Sequence, residues 1–134
     1  HWHLQQMRYS GEPGWVNGEA GKKRRPNFNG CNPCGEILLD NNGLCNLTTV
    51  NVMGFVKEGD LDKDALMEAQ KLSVRAGYRM TCKELELHEW NLVQQRDRLL
   101  GCSITGWQDM VNATNMGRED QIKLLEELRD VAHT

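Results

Sequence analysis

Residues 31–53, CNPCGEILLDNNGLCNLTTVNVM, are the stretch that decides the fold of this chain. Within it, the short apolar segment 37–39 runs into residues 40–43, DNNG, which form a strong turn pattern. Residues 44–52 then continue with β-branched, partly alternating side chains, which favour extended structure. The stretch therefore predicts two strands, one on each side of a turn.

Toward the C-terminus the apolar residues change to helical spacing. Asp60 or Asp62 is expected to cap the first helix, because an aspartate oxygen can accept a hydrogen bond from the first free backbone N–H groups. The predicted elements are helices over 61–80, 84–96, 107 onward and 118–132, with a short buried strand at 99–104. The side chains expected to face the core are Leu66, Ala69, Leu72, Ala76, Leu87, Trp90, Val93, Ile122, Leu125 and Leu128.

Strands that alternate with helices predict an α/β arrangement in which helices cover the strands. The visible strands are too few for a closed barrel or a doubly wound sheet, so we expect a piece of something larger. The first residue, which is not Met, points the same way. The predicted organisation is one domain fragment, with a turn-rich, polar lead-in over 1–30, the stretch 31–53, and helices over 54–134 with one strand near 99–104.

The composition argues against several classes of function. The 134 residues are 39% hydrophobic and 26% charged with a net charge of −3, which predicts neither nucleic-acid nor membrane binding. The basic run 22–26 is expected to be a solvated loop, with a phosphate or partner contact as the alternative. Five cysteines, an odd number, and the lack of a signal-peptide pattern favour a reducing, cytoplasmic location.

Cys31 and Cys34 form a CxxC motif, for which two common explanations exist. A structural zinc site needs four ligands and usually a second such pair, which this sequence does not have. A thioredoxin-type redox motif stands at the start of a helix, whereas here an apolar strand candidate follows. Neither explanation accounts well for the residues around Cys34.

Asn32, Cys34 and Glu36 alternate along the chain. In an extended or tightly looped backbone, residues two apart project to the same side, so the three side chains are expected to point into one pocket. Together they offer a hydrogen-bonding amide, a sulfur centre and a general base. Pro33 and Gly35 are expected to shape the loop.

The sequence Asn-Pro-Cys-Gly-Glu at 32–36, followed after a turn by Leu-Cys-Asn-Leu at 44–47, closely resembles ribonucleotide reductases, above all the adenosylcobalamin-dependent class. The resemblance implies a finger loop inside a ten-stranded α/β barrel and radical-based reduction of ribonucleotides to deoxyribonucleotides. By motif, Cys34 would become a thiyl radical and abstract the 3′ hydrogen of the substrate ribose. Glu36 would accept the 3′-hydroxyl proton, and Asn32 would hydrogen-bond the substrate.

Cys45 matches one member of the family's thiol pair, which reduces the 2′ position and ends as a disulfide. It follows Cys34 by 11 positions, a separation that resembles the cobalamin-dependent class. The resemblance thus implies adenosylcobalamin as cofactor, with a radical from a separate metal-containing subunit as the alternative. The implied partners are a ribonucleoside di- or triphosphate, a thioredoxin-like reductant and the rest of the reductase chain. No residue is assigned to hold the cofactor or a metal.

Several parts of such an enzyme have no counterpart in this sequence, including the second redox cysteine and the substrate-phosphate loop. We therefore expect the isolated chain to be inactive. Cys31, Cys82 and Cys102 match no catalytic position, and they are expected to be buried packing cysteines. The alternative function is a small cysteine-containing metal-binding or interaction module that shares the loop by chance.

Overall fold

The computed structural model describes residues 2–133, which divide between Gly43 and Leu44 into two compact units. The boundary falls inside the stretch 31–53, which was predicted to be one segment. The first unit contains α1 (Trp2–Ser10), α2 (Gly18–Arg24), β1 (Gly30–Cys31) and β2 (Leu38–Leu39). The second contains β3 (Asn46–Asn51), a 3₁₀ turn (Val52–Phe55), β4 (Val56–Lys57), β5 (Asp60–Leu61), α3 (Lys63–Thr81), α4 (His88–Asp97), β6 (Leu100–Thr105), α5 (Trp107–Thr114) and α6 (Arg118–His133).

The prediction of a turn-rich lead-in over 1–30 is wrong, because this segment contains the helices α1 and α2. The α2 helix begins after Asn17, whose side chain accepts a hydrogen bond from the Ala20 N–H at 3.0 Å. Most of the basic run 22–26 lies in its last turn, where positive charge is favourable against the helix dipole. The expectation of a loop is therefore wrong for residues 22–24, while residues 25 and 26 follow the helix.

Phe28 supplies the buried apolar side chain of the first unit. It packs against α2 at Gly21, where a Cβ atom would lie 2.7 Å from the Phe28 ring. Glycine is thus required at position 21 because the Phe28 ring packs closely against it. The backbone freedom of glycine, which is typical of turns, is not needed there.

The predicted strand at 37–39 and the turn at 40–43 are confirmed. The Gly43 N–H donates to the Asp40 carbonyl at 3.0 Å, and Asn42 has a φ of +59°. The pairing is less simple than a hairpin across this turn. Antiparallel to β2 lies β1, with Cys31 opposite Leu38, so β2 pairs with the chain that precedes it.

In the second unit, β3 and β6 form a parallel pair six residues long. Its register runs from Asn46 opposite Leu100 to Asn51 opposite Thr105. Parallel neighbours need a long crossover connection, and α3 lies in that connection and packs on both strands. The α/β prediction is confirmed, and the strands predicted at 44–52 and 99–104 are these two.

The helix predicted at 61–80 is confirmed as α3, with Asp62 as its cap: the side chain accepts from the Ala65 N–H at 3.0 Å. Its buried face matches the prediction only in part: Leu66 is buried and Ala69 half-buried, but Leu72 and Ala76 are exposed. The side chains that α3 buries are Leu66, Gln70, Gly77 and Thr81.

No helix among residues 2–133 is both long and apolar enough to cross a membrane.

Two other helices also differ from prediction in the face that they bury. The α4 helix begins at His88 and leaves Leu87 and Trp90 exposed, and α6 buries Leu124 and Leu128 while Ile122 and Leu125 are exposed. Helix α6 has leucines at 124, 125 and 128, on more than one side, so their spacing does not single out one buried face, and of its predicted core residues only Leu128 is buried. The buried core of the second unit consists of Val50, Val52, Leu66, Met110, Leu124 and Leu128.

Candidate active-site loop

The loop 32–37 closes the β1–β2 hairpin of the first unit. It opens with a β-turn in which the Gly35 N–H donates to the Asn32 carbonyl at 2.9 Å. Pro33 occupies the second position of the turn, where its fixed φ suits the geometry, and Gly35 has a φ of +81°, which favours glycine. Cys34 is thereby placed at the third position of a tight turn.

The side chain of Asn32 holds the two ends of the loop together. Its Oδ1 accepts a hydrogen bond from the Ile37 N–H at 3.0 Å, and its Nδ2 donates to Oε1 of Glu36. An amide that accepts from backbone and donates to a carboxylate orients that carboxylate. Asn32 is half-buried while Glu36 is exposed, so the second carboxylate oxygen remains accessible.

Cys34 itself is exposed, and among residues 2–133 no hydrogen bond to its sulfur is present. From the sequence, Asn32, Cys34 and Glu36 are expected to share one side of the loop. The structure brings Asn32 and Glu36 into contact and leaves the Cys34 thiol at the adjacent tip. The loop therefore presents a thiol and an oriented carboxylate two residues apart.

Cys45 lies in the second unit, directly before β3, and is half-buried. The following residue, Asn46, is the first of β3, and its side-chain Nδ2 donates to the Leu99 carbonyl at 3.0 Å. This bond adds to the backbone bond between the Asn46 N–H and the same carbonyl at 3.3 Å. The backbone beside Cys45 is thus fixed to the start of β6.

The three remaining cysteines are not the buried packing residues that we expected. Cys31 and Cys82 are exposed and Cys102 is half-buried. Arg98 Nη1 donates to Cys82 Sγ at 3.1 Å, and Thr48 Oγ1 lies 3.5 Å from Cys102 Sγ across the parallel strand pair. Cys31 lies in the two-residue strand β1, opposite Leu38 of β2.

The described part of the chain holds no group of three or more His, Cys, Asp or Glu side chains arranged to bind a metal ion. The zinc alternative for Cys31 and Cys34 therefore finds no further ligands among residues 2–133. The thioredoxin alternative requires a helix after the motif, and β2 follows instead.

Two polar residues near Cys45 were missed by sequence reasoning. Gln94 in α4 is only 4% exposed, and it accepts a hydrogen bond from Asn46 Nδ2 at 3.3 Å. Asn46 belongs to the Leu-Cys-Asn-Leu segment, which drew attention to it without suggesting a role. No sequence pattern singles out Gln94, because glutamine is common on exposed helix surfaces.

Comparison with models of known protein families gives a match over most of the chain. The family described as ribonucleotide reductase, barrel domain, matches residues 5–124, which is most of the chain. No solved structure matches it with significance.

Curated relatives agree with this match. An adenosylcobalamin-dependent ribonucleoside-triphosphate reductase from Lacticaseibacillus paracasei is 32% identical over 111 residues, which are 75% of this chain and 14% of the relative. A protein of the same name from Lactobacillus gasseri is 32% identical over 117 residues, 79% of this chain and 15% of the relative. The chain thus spans a small part of these enzymes, and it belongs to the ribonucleotide reductase family, within the barrel domain.

Proposed function

We propose that the protein containing this chain reduces ribonucleotides to deoxyribonucleotides by radical chemistry, and that loop 32–37 carries the reacting thiol. The observation that supports this most is the hydrogen bond from Asn32 to the Glu36 carboxylate, beside the exposed Cys34 thiol. The loop combines a sulfur that can take a hydrogen atom once it is a radical with an oriented carboxylate that can accept the proton of the neighbouring hydroxyl.

In the proposed reaction, the Cys34 thiyl radical takes the 3′ hydrogen atom of the ribose, which regenerates the thiol and leaves a carbon radical. The Glu36 carboxylate accepts the proton of the 3′ hydroxyl, which promotes loss of the 2′ hydroxyl as water. The bond from Asn32 fixes the orientation of that carboxylate. The remaining N–H of the Asn32 amide is assigned to a substrate oxygen.

Cys45 is proposed to be one of two thiols that supply the electrons. Reduction at the 2′ position consumes two electrons and two protons, and the two thiols are left as a disulfide while the 2′ oxygen departs as water. The hydrogen atom returned to the 3′ carbon comes from Cys34, which restores the thiyl radical. A thioredoxin-like dithiol would then reduce the disulfide for the next turnover.

The cofactor proposed is adenosylcobalamin, which the relatives require by name. It supplies, when bound, a radical able to take the hydrogen atom of a thiol. Cys34 fits that chemistry, because its sulfur lies exposed at a loop tip where another group can approach. No described residue is assigned to hold the cofactor. We further propose a ribonucleoside triphosphate as substrate and the cytoplasm, a reducing compartment, as location.

The test is an activity assay of the complete protein that contains this chain. Purified protein, a ribonucleoside triphosphate, a dithiol and adenosylcobalamin, with no iron- or manganese-containing subunit, are expected to yield the deoxynucleotide. Product that forms only with a metal-containing partner subunit would overturn the cofactor assignment. If neither condition gives product, the proposed function is wrong.

Asn32→Ala is expected to lower kcat by about tenfold or more, since general-base contributions are typically of order 10²-fold and the base loses its positioning partner. The loop also loses the bond to Ile37 N–H. Asn27→Ala is the matched control, because Asn27 is exposed and its side chain makes no hydrogen bond among residues 2–133. The measurement is the steady-state kcat of both variants. Equal kcat values would show that Asn32 has no role in the mechanism.

A further inference from the structure

Gln94 is a buried amide that joins three parts of the second unit. Its Nε2 donates to the Lys83 carbonyl at 3.1 Å and lies 3.5 Å from the Met80 carbonyl, at the end of α3 and in the loop after it. Its Oε1 accepts from Asn46 Nδ2 at 3.3 Å. With 4% of its surface exposed, its donors and acceptor are used within the protein.

The Asn46 end of this chain of bonds is adjacent to Cys45. Asn46 Nδ2 is shared between Gln94 Oε1 and the Leu99 carbonyl, so the side chain bridges α4 and the residue before β6. The backbone at the start of β3 is therefore held from two directions. Cys45 directly precedes this fixed residue, so its backbone is attached to the anchored end of the strand.

We propose that Gln94 is a positioning residue for the Cys45 thiol, acting through Asn46. The proposal rests on the proposed function, in which Cys45 reduces the substrate. Reacting groups must be held to within about 0.5 Å, and a misplacement of about 1 Å can cost on the order of 10²-fold in rate. A half-buried thiol at the end of a strand depends for that precision on what fixes the strand end.

The polarity of Gln94 supports this role over simple packing. An apolar side chain of the same length would fill the space at lower desolvation cost, because burying an amide is unfavourable unless its groups are bonded. The amide offers a donor toward two carbonyls and an acceptor toward Asn46, which an apolar side chain does not provide. The bond to Asn46 is the one that reaches the thiol-bearing segment.

The test compares Gln94→Met with Gln121→Met in the complete protein. Gln121 is a fair control, since its half-buried amide donates to the Met116 carbonyl at 2.9 Å, far along the chain from Cys45. We expect Gln94→Met to lower kcat by roughly tenfold or more while the nucleotide KM changes by less than about twofold. Its 3′-hydrogen exchange should continue, so the ratio of exchange to deoxynucleotide formed should rise. The control should keep the wild-type ratio.

If Gln94→Met does not fold, Asn46→Ala takes its place, because it removes the N–H that Gln94 Oε1 accepts while the Gln94 amide can still donate to the Lys83 carbonyl. A double variant with Asn46→Ala tests the route: its loss in kcat should be smaller than the product of the two single losses. Wild-type ratios in the Gln94 variant, or losses that multiply, would overturn the proposal. An inactive wild-type protein would instead refute the proposed function.

Discussion

Replacing Cys34 by serine in the complete protein is expected to abolish nucleotide reduction, with no deoxynucleotide above background. The hydroxyl O–H bond is far stronger than the thiol S–H bond, so serine does not yield a radical under conditions that oxidise cysteine. The turn should survive the change, because the third position of the β-turn at 32–35 accepts serine and the Cys34 side chain is exposed. Deoxynucleotide yield over many turnovers is the measurement.

Cys31→Ser is the matched control for that experiment. Cys31 is equally exposed, lies three positions away and belongs to the same hairpin, but no role is assigned to it. Its variant should keep wild-type turnover within about twofold, since surface substitutions usually change stability by less than about 0.5 kcal/mol. Repeated turnovers by Cys34→Ser would contradict the assignment of the radical to Cys34. Loss of activity in both variants would indicate that Cys31 and Cys34 act together as a CxxC pair.

The second large effect is expected from Cys45→Ser. In the proposed mechanism hydrogen abstraction at the 3′ carbon depends on Cys34 and should persist, whereas the thiol pair that supplies two electrons is incomplete and no disulfide forms. Turnover should therefore stop after radical formation. Exchange of isotopically labelled 3′ hydrogen, measured beside deoxynucleotide yield, separates the two steps: the first should remain and the second should vanish.

Cys102→Ser serves as the control for Cys45→Ser. Cys102 is half-buried like Cys45, lies in the same unit and sits on β6, the partner strand of β3. Serine there can still accept from Thr48 Oγ1, so we expect turnover to continue. Multiple turnovers in Cys45→Ser would refute the role of Cys45, and a loss in Cys102→Ser alone would move the redox role to that residue.

The local features of the fold were predictable from the sequence. Asp62 caps α3 because an aspartate accepts from a free N–H wherever a helix begins, and the turn at 40–43 follows from its Asn and Gly residues. The α/β class followed from the alternation of elements. These predictions depend on interactions between residues close in sequence, which a single sequence records.

Features that depend on distant partners were not predictable. The buried face of α3 includes Gly77 because Leu100 of β6 fills the space there; a Cβ atom would lie 2.1 Å from its Cδ1. Gln70 is buried on the same face, and a polar residue at that position reads as exposed in a hydrophobic pattern. Helix α2 within 1–30 was not predictable either, because it includes Gly18 and Gly21 and glycine is unfavourable in helices.

In the candidate site, too, the features that depend on sequence neighbours were predictable and those that depend on distant partners were not. The alternation of Asn32, Cys34 and Glu36 predicted a shared location, and the structure places Asn32 and Glu36 in contact. Gln94 lies 48 positions from Asn46, and only the fold brings them together. The residues proposed to react were suggested by a local motif, while the residue proposed to hold one of them in place was found only from the tertiary structure.

The central claim is that Cys34 carries the radical, and electron paramagnetic resonance tests it most directly. The complete protein is prepared with cysteine deuterated at Cβ and mixed with adenosylcobalamin and substrate. A radical on sulfur couples to the Cβ hydrogens, so deuteration should narrow the signal, and the signal should be absent from Cys34→Ser. A radical signal that deuteration leaves unchanged, or that persists in Cys34→Ser, would contradict the account.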